Sequence, residues 1–184
     1  MSTTLIVIAV LVLLTAVLIT GYNRLIRLNV SVDEAWSQIE VQLKRRSDLI
    51  PNLVETVKGY ASHEKSTFDA VVSARAKATS ATGITATAEA DGQLTQALRG
   101  LLAVAENYPD LKASANFLSL QEELGTTENK VSFARQFYND NVRSLNSAVK
   151  TFPGNVFAGF AKVSARDFYE VDDPTSRQAP KIQF

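Results

Sequence analysis

The apolar residues of this chain change rhythm as it proceeds. From Ser2 to Asn23 no side chain is charged, and Leu5 to Thr20 reads LIVIAVLVLLTAVLIT. Flanked by Thr3, Thr4 and Tyr22, the run reaches the roughly 20 residues that span a hydrocarbon core of about 30 Å. Beyond it the apolar positions thin to a heptad pattern. One stripe is Leu25, Val32, Ile39, Arg46, Leu53, Tyr60; its companion is Trp36, Leu43, Ile50, Val57, Glu64, Val71, Ala78. Paired stripes with a mean spacing of about 3.5 residues describe the buried face of one long helix in a bundle or coiled coil. This predicts a first helix running from the membrane to about Ala78, roughly 80 Å at 1.5 Å per residue.

The next segment, TSATGITATAEADG from Thr79 to Gly92, is small, polar and glycine-punctuated, and is expected to be a mobile loop. Helical spacing returns through Leu94, Leu98, Leu101, Leu102 and Ala105. It predicts a short second helix ending near Tyr108, before Pro109. Asp110 is the expected N-cap of a third, long helix. That helix carries Phe117, Leu124, Val131, Tyr138, Leu145 and Phe152 on one stripe and Gln121, Glu128, Arg135, Val142 and Val149 on the other. The short link through NYPD makes the second and third helices antiparallel neighbours. Pro153 and Gly154 stop the third helix. NVFAGFAKV follows, placing Val156, Phe157, Phe160 and Val163 on one face of a short amphipathic helix.

The expected fold is therefore all-α, an N-terminal transmembrane helix followed by a bundle of long antiparallel helices. Residues 1–23 form the anchor, built on Leu5, Ile6, Val7, Leu11, Leu14, Leu18 and Tyr22. Residues 24–171 form the bundle, with its mobile loop near 79–92, and 172–184 an extended tail unless Ile182 and Phe184 dock. A cleaved signal peptide would want a basic leader and small residues before a cut, and VLITGYNR offers neither. The anchor is expected to remain, making the chain a single-pass protein held to lipid by its N-terminal helix. Arg24 and Arg27 follow the span with no basic side chain before it. The positive-inside rule then puts the soluble part in the cytoplasm.

Charge and composition narrow the chemistry. Nineteen Lys and Arg balance nineteen Asp and Glu, with no basic run, so nucleic acid is not an expected partner. The absence of Cys removes disulfides, thiolate metal sites and Cys nucleophiles. His63-Glu64 begins like HExxH, but the segment is HEKST and His63 is the sole histidine, so the second ligand is missing. No nucleophile elbow and no glycine-rich phosphate loop occurs. A catalytic site, a metal and a cofactor are all unexpected.

What stands out instead is the placing of charges inside the apolar stripes. Arg46 and Glu64 interrupt those of the first helix, Glu128 and Arg135 those of the third. An isolated buried charge costs several kcal/mol, so these four are expected to find one another or another strong partner. These residues are expected to form a structural polar layer, Arg46 with Glu128 or Glu64 with Arg135. Pro51 deletes one helix hydrogen bond while the heptad phase passes through it, predicting a kinked but continuous helix.

The blocks YNRLIRLNVSVDEAWSQIEVQLKRRSDLIPNLVETVKGYASHE, AENYPDLKASANFLSLQEEL, TEN at Thr127 to Asn129, ARQFYNDNVRSLNSAVKTFPGNVFA and the closing PKIQF together resemble the LemA family. The resemblance implies a bacterial cell-membrane protein with one N-terminal anchor, a bundle of long helices and no established enzymatic activity. It suggests an accessory role in membrane-protein quality control or envelope homeostasis. The function expected is that of a non-enzymatic scaffold or adaptor with a protein partner or a homo-oligomeric state. The alternative is an oligomeric membrane-shaping or lipid-contacting protein, with NVFAGFAKV touching the bilayer.

Overall fold

The computed structural model describes residues 2–170, and the tail expected over 172–184 lies outside them. The described residues hold helices and no strand: α1 (Ser2–Lys58), α2 (Lys65–Ser80), α3 (Ile84–Ala105), α4 (Pro109–Lys112), α5 (Ala115–Lys150) and α6 (Gly154–Ala161). The all-α expectation holds. The chain divides into two compact units, one of Met1–Gln38 with Ala134–Phe168, the other of Ile39–Phe133 with Tyr169–Phe184.

In the first unit, α1 begins with a stretch long and apolar enough to cross a membrane, and none of that window is buried against protein. Leu5, Ile6, Val7, Leu11, Leu14, Leu18 and Tyr22 all face outward. From Leu25 the same helix turns amphipathic, burying Leu25, Val32 and Ala35, while the C-terminal part of α5 buries Tyr138, Val142 and Leu145. Trp36 meets Tyr138 edge-on, ring centroids 5.7 Å apart at 62°. The sole tryptophan thus packs within its own unit.

In the second unit the first long helix is shorter than its heptads suggest. α1 passes unbroken through Pro51 and ends at Lys58, and α2 folds back on it after a turn through Gly59 to Glu64. Arg75 Nε donates to the Ser47 carbonyl at 2.9 Å, and the hydroxyls of Ser47 and Thr79 meet at 3.4 Å. The far end of α2 therefore returns to α1 at Ser47, and the two run antiparallel. The heptad phase survives this turn because both arms of a hairpin face the same core. Ile50, Leu53 and Val57 from one arm share a cluster with Phe68, Val71 and Ala74 from the other. A straight helix would have left the second set uncovered, and Gly59 with exposed Tyr60 supplies a weak point for the turn.

The expected mobile loop is mostly helix. Only Ala81 to Gly83 separates α2 from α3, with Gly83 at φ 83°, where glycine carries no Cβ penalty. α3 is 22 residues long rather than short, and Ala88, Asp91, Leu94, Leu98 and Leu101 line its buried face. α4 also intervenes before the last long helix. Asp110 lies in its first turn, behind Pro109 at a position where proline is favoured. α5 starts at Ala115, where the Ser114 carbonyl accepts from the Leu118 amide at 3.1 Å.

Candidate functional site

Three arrangements of polar or exposed side chains emerge from these elements. The first is buried in the second unit. Arg46 projects from α1 into the core at 3% exposure, and its carboxylate is Asp91 of α3, at 4%. Arg46 Nη1 donates to Asp91 Oδ1 at 2.9 Å and to Thr95 Oγ1 at 3.0 Å. Tyr169, itself buried, donates its hydroxyl to the other carboxylate oxygen at 3.2 Å. Both Asp91 oxygens are thereby engaged, as a buried carboxylate requires. The cluster joins α1, α3 and the segment after α6 without presenting a reactive group outward.

This corrects the expected partnership. Arg46 is on the core face as predicted, but Asp91 rather than Glu128 neutralises it. Glu128 is exposed because the apolar stripe of α5 drifts from strict heptads, and Thr127 takes the core position one residue earlier. The Thr127 hydroxyl is satisfied by the Glu123 carbonyl at 2.8 Å. Glu64 and Arg135 are half-buried, in different units. Asp91 was concealed in the stretch assigned to a loop. The signal for it was the spacing of Ile84, Ala88, Asp91, Thr95 and Leu98, in phase with the leucines that follow.

The second arrangement straps the segment after α6 to the first unit. Asn146 clamps the backbone of Arg166 from both sides, Nδ2 donating to its carbonyl at 2.9 Å and Oδ1 accepting from its amide at 2.8 Å. The Arg166 guanidinium reaches Asp33 at 2.8 Å and Asn29 at 3.2 Å on α1. Tyr138 donates to the Asp167 carbonyl at 2.9 Å. The Tyr138 phenol is pushed up to about 12, mainly by burial; the Arg166 charge opposes this, and Asp167 and Asp33 add to it. These groups hold a chain segment in place and offer no paired acid and base.

The third lies where the apolar stretch of α1 ends. Phe157 of α6 is buried against Gly21, and a Cβ at that glycine would overlap its ring. Gly154, at the start of α6, lies so close to the Ala148 carbonyl that a Cβ there would also collide. α6 is thus pinned beside residues 21 and 22. The expected single apolar face is divided: Phe157 and Val163 point inward, whereas Val156 and Phe160 point out. Phe152 and Phe160 are each 82% exposed. A helix apolar on both sides is unusual on a water-facing surface. Among the described residues no group of three or more His, Asp or Glu is placed to hold a metal ion, and His63 is exposed in the α1–α2 turn.

Comparison with known proteins adds the lineage. The LemA family model matches residues 35–184, beginning after the apolar stretch. Protein LemA of Metamycoplasma hominis is 30% identical over 138 residues, covering 74% of this chain and 63% of that protein. Magnetosome protein MamQ of Magnetospirillum gryphiswaldense is 24% identical over 182 residues, covering 83% and 67%. Magnetosome protein MamQ 1 of Paramagnetospirillum magneticum is 24% identical over 181 residues, covering 84% and 66%. The chain spans about two thirds of the length of these relatives. With a family match over most of its length and the all-helical bundle to go with it, the chain belongs to the LemA family.

Proposed function

We propose that this chain is a membrane-tethered helical scaffold without catalytic chemistry, and that it acts by holding partner proteins or further copies of itself at a bilayer. One observation carries the reading. The exposed apolar stretch of α1 continues without a helical break into residues that form the core of the first unit, Leu25, Val32 and Ala35. An anchor joined in this way transmits position rather than dangling on a linker. The polar clusters are engaged in holding helices and segments together, which supports a structural role. Phe133, 71% exposed on α5, is the kind of aromatic that a protein partner covers.

The second reading, a lipid-contacting or membrane-shaping protein, is favoured by α6. Its outward Val156 and Phe160, with Phe152 in the turn before it, lie on the element that packs Phe157 against Gly21 at the end of the apolar stretch. The two readings share the anchor in the cell membrane and differ in what the soluble part touches. A cytoplasmic placement follows from Arg24 and Arg27, and protease protection in right-side-out vesicles checks it.

Cross-linking in native membranes, with each product weighed and identified, tests the scaffold. Adducts at multiples of the 20.1 kDa chain, or a reproducible adduct with another protein, are expected. Absence of both, alongside vesicle deformation by the purified chain, would overturn it in favour of the second reading.

A further inference from the structure

A cleft in the first unit lies between α1, the end of α5 and the turn into α6, with a volume of about 520 Å³. That is within the range of small-molecule sites, roughly 300–1,000 Å³, and far larger than a single water needs. Gly21 and Leu25 line one wall, Arg143, Ser147 and Thr151 another, and Arg24 stands at the α1 side. No carboxylate is among the lining residues. Of its two guanidiniums, Arg143 has a counter-ion in Asp140 outside the wall, while Arg24 has none among the described residues.

The donors are available. Arg24 makes no hydrogen bond or ion pair among the described residues. Arg143 uses Nη1 on Asp140 Oδ1 at 2.8 Å, which leaves Nη2 and Nε for a second oxyanion. The Ser147 hydroxyl has no side-chain partner among the described residues, while that of Thr151 is occupied by the Ser147 carbonyl at 2.9 Å. Two guanidiniums and a hydroxyl converging on a cleft match a phosphate, whose oxygens accept several charge-assisted hydrogen bonds at once.

We propose that this cleft binds the phosphodiester of an anionic phospholipid headgroup. The inference rests on reading the apolar stretch of α1 as a membrane span, because that sets the depth of the site. Gly21 lines the cleft, and Arg24 stands two residues beyond Tyr22, at the level where headgroup phosphates lie. Phe152 also lines the cleft and is exposed, giving acyl chains an apolar surface to pack against. A lipid held by its phosphate in the cleft has its chains directed along the same exposed apolar surface as α1 and α6. The ligand chemistry is that of a phosphate oxyanion, and the lipid is the source that this setting favours.

The full chain, purified in a nonionic detergent with mixed phosphatidylcholine and phosphatidylglycerol, is examined by native mass spectrometry. The expected result is selective retention of phosphatidylglycerol. Arg24→Gln with Arg143→Gln should lower that retention about tenfold or more, as loss of charge-assisted hydrogen bonds predicts. Arg27→Gln, one turn away with its Nε on the Asn23 carbonyl, should leave it unchanged. Equal retention in the double variant, or an equal drop in Arg27→Gln, overturns the cleft. Arg24→Gln alone carries the same test should the double variant misfold, since Arg24 makes no bond within the fold. Inorganic phosphate is the second arm: displacement of phosphatidylglycerol at low millimolar phosphate would overturn the lipid in favour of a free anion. Flotation separates the two readings. A wild-type chain that fails to float with phosphatidylcholine vesicles overturns the span, and with it this proposal. A chain that floats while the double variant retains phosphatidylglycerol normally overturns the cleft alone.

Discussion

Removing the Asp91 carboxylate, as in Asp91→Ala, strands the Arg46 guanidinium. Arg46 is nearly sealed from water, and its Nη1 would keep only the Thr95 hydroxyl at 3.0 Å. Its Nε already makes no hydrogen bond among the described residues, so the group has little in reserve. Truncating one partner of a buried pair costs about 3–5 kcal/mol, because the other charge remains desolvated. The Tyr169 hydroxyl loses its acceptor at 3.2 Å as well, adding about 1 kcal/mol. The sum, about 4–6 kcal/mol, is a large fraction of the roughly 5–15 kcal/mol that holds an ordinary domain together. Arg46→Met combined with Asp91→Leu should behave differently. It removes both charges and fills the space, so its stability should lie within about 1–2 kcal/mol of wild type, on either side. Denaturant titration of the full chain in detergent gives the three stabilities, and amide exchange over Leu94 to Leu101 localises the loss. A loss under about 1 kcal/mol in Asp91→Ala, or a double variant worse than either single, would refute the argument that burial of the charge, and not its attraction, sets the magnitude.

The strap after α6 yields another prediction. Asn146→Ala deletes both hydrogen bonds to the Arg166 backbone and should cost about 2 kcal/mol, read as faster amide exchange at Arg166. Gly154→Ala drives a Cβ into the Ala148 carbonyl, a main-chain atom with little freedom to move. It should destabilise by about 1–3 kcal/mol in the same titration. Tyr138 gives a pH dependence. Its phenol titrates near 10 when unfolded and at about 12 when folded, so the unfolded state sheds its proton first. Its contribution to stability is full below pH 10 and falls as pH rises towards 12; Tyr138→Phe should flatten that fall, seen in denaturation midpoints across this window.

How much of this could be anticipated depends on what each pattern physically encodes. Periodicity reports which face of a helix is buried, and along most of each stripe it succeeded: Leu25, Val32, Ile39, Arg46 and Leu53 are in the core, as are Phe117, Leu124, Val131, Tyr138 and Leu145, whereas Tyr60 and Phe152 at the stripes' ends are exposed. It does not report whether a helix continues or doubles back, since both arms of the α1–α2 hairpin keep one phase. That is why the turn after Lys58 was invisible. Composition misled for the opposite reason. Thr79 to Gly92 contains few large apolar residues because α3 packs there through Ala88 and the buried Asp91, so a close helix contact resembled a solvated loop.

The same limits decide which part of the candidate site could be seen in advance. A buried Arg46 demands a carboxylate, and that demand was legible, but the choice among acids depends on three-dimensional proximity. Glu128 had the right heptad position and Asp91 the right place in space. In the first unit, the apolar character of NVFAGFAKV was evident, yet its division was not. Phe157 needs the absent side chain of Gly21 to turn inward, and once it does, Phe160 three residues on must face out. The glycine in α1 therefore selects which aromatic of α6 is core and which is left exposed at the end of the apolar span. A residue with no side chain thereby determines which aromatic surface the chain leaves exposed there.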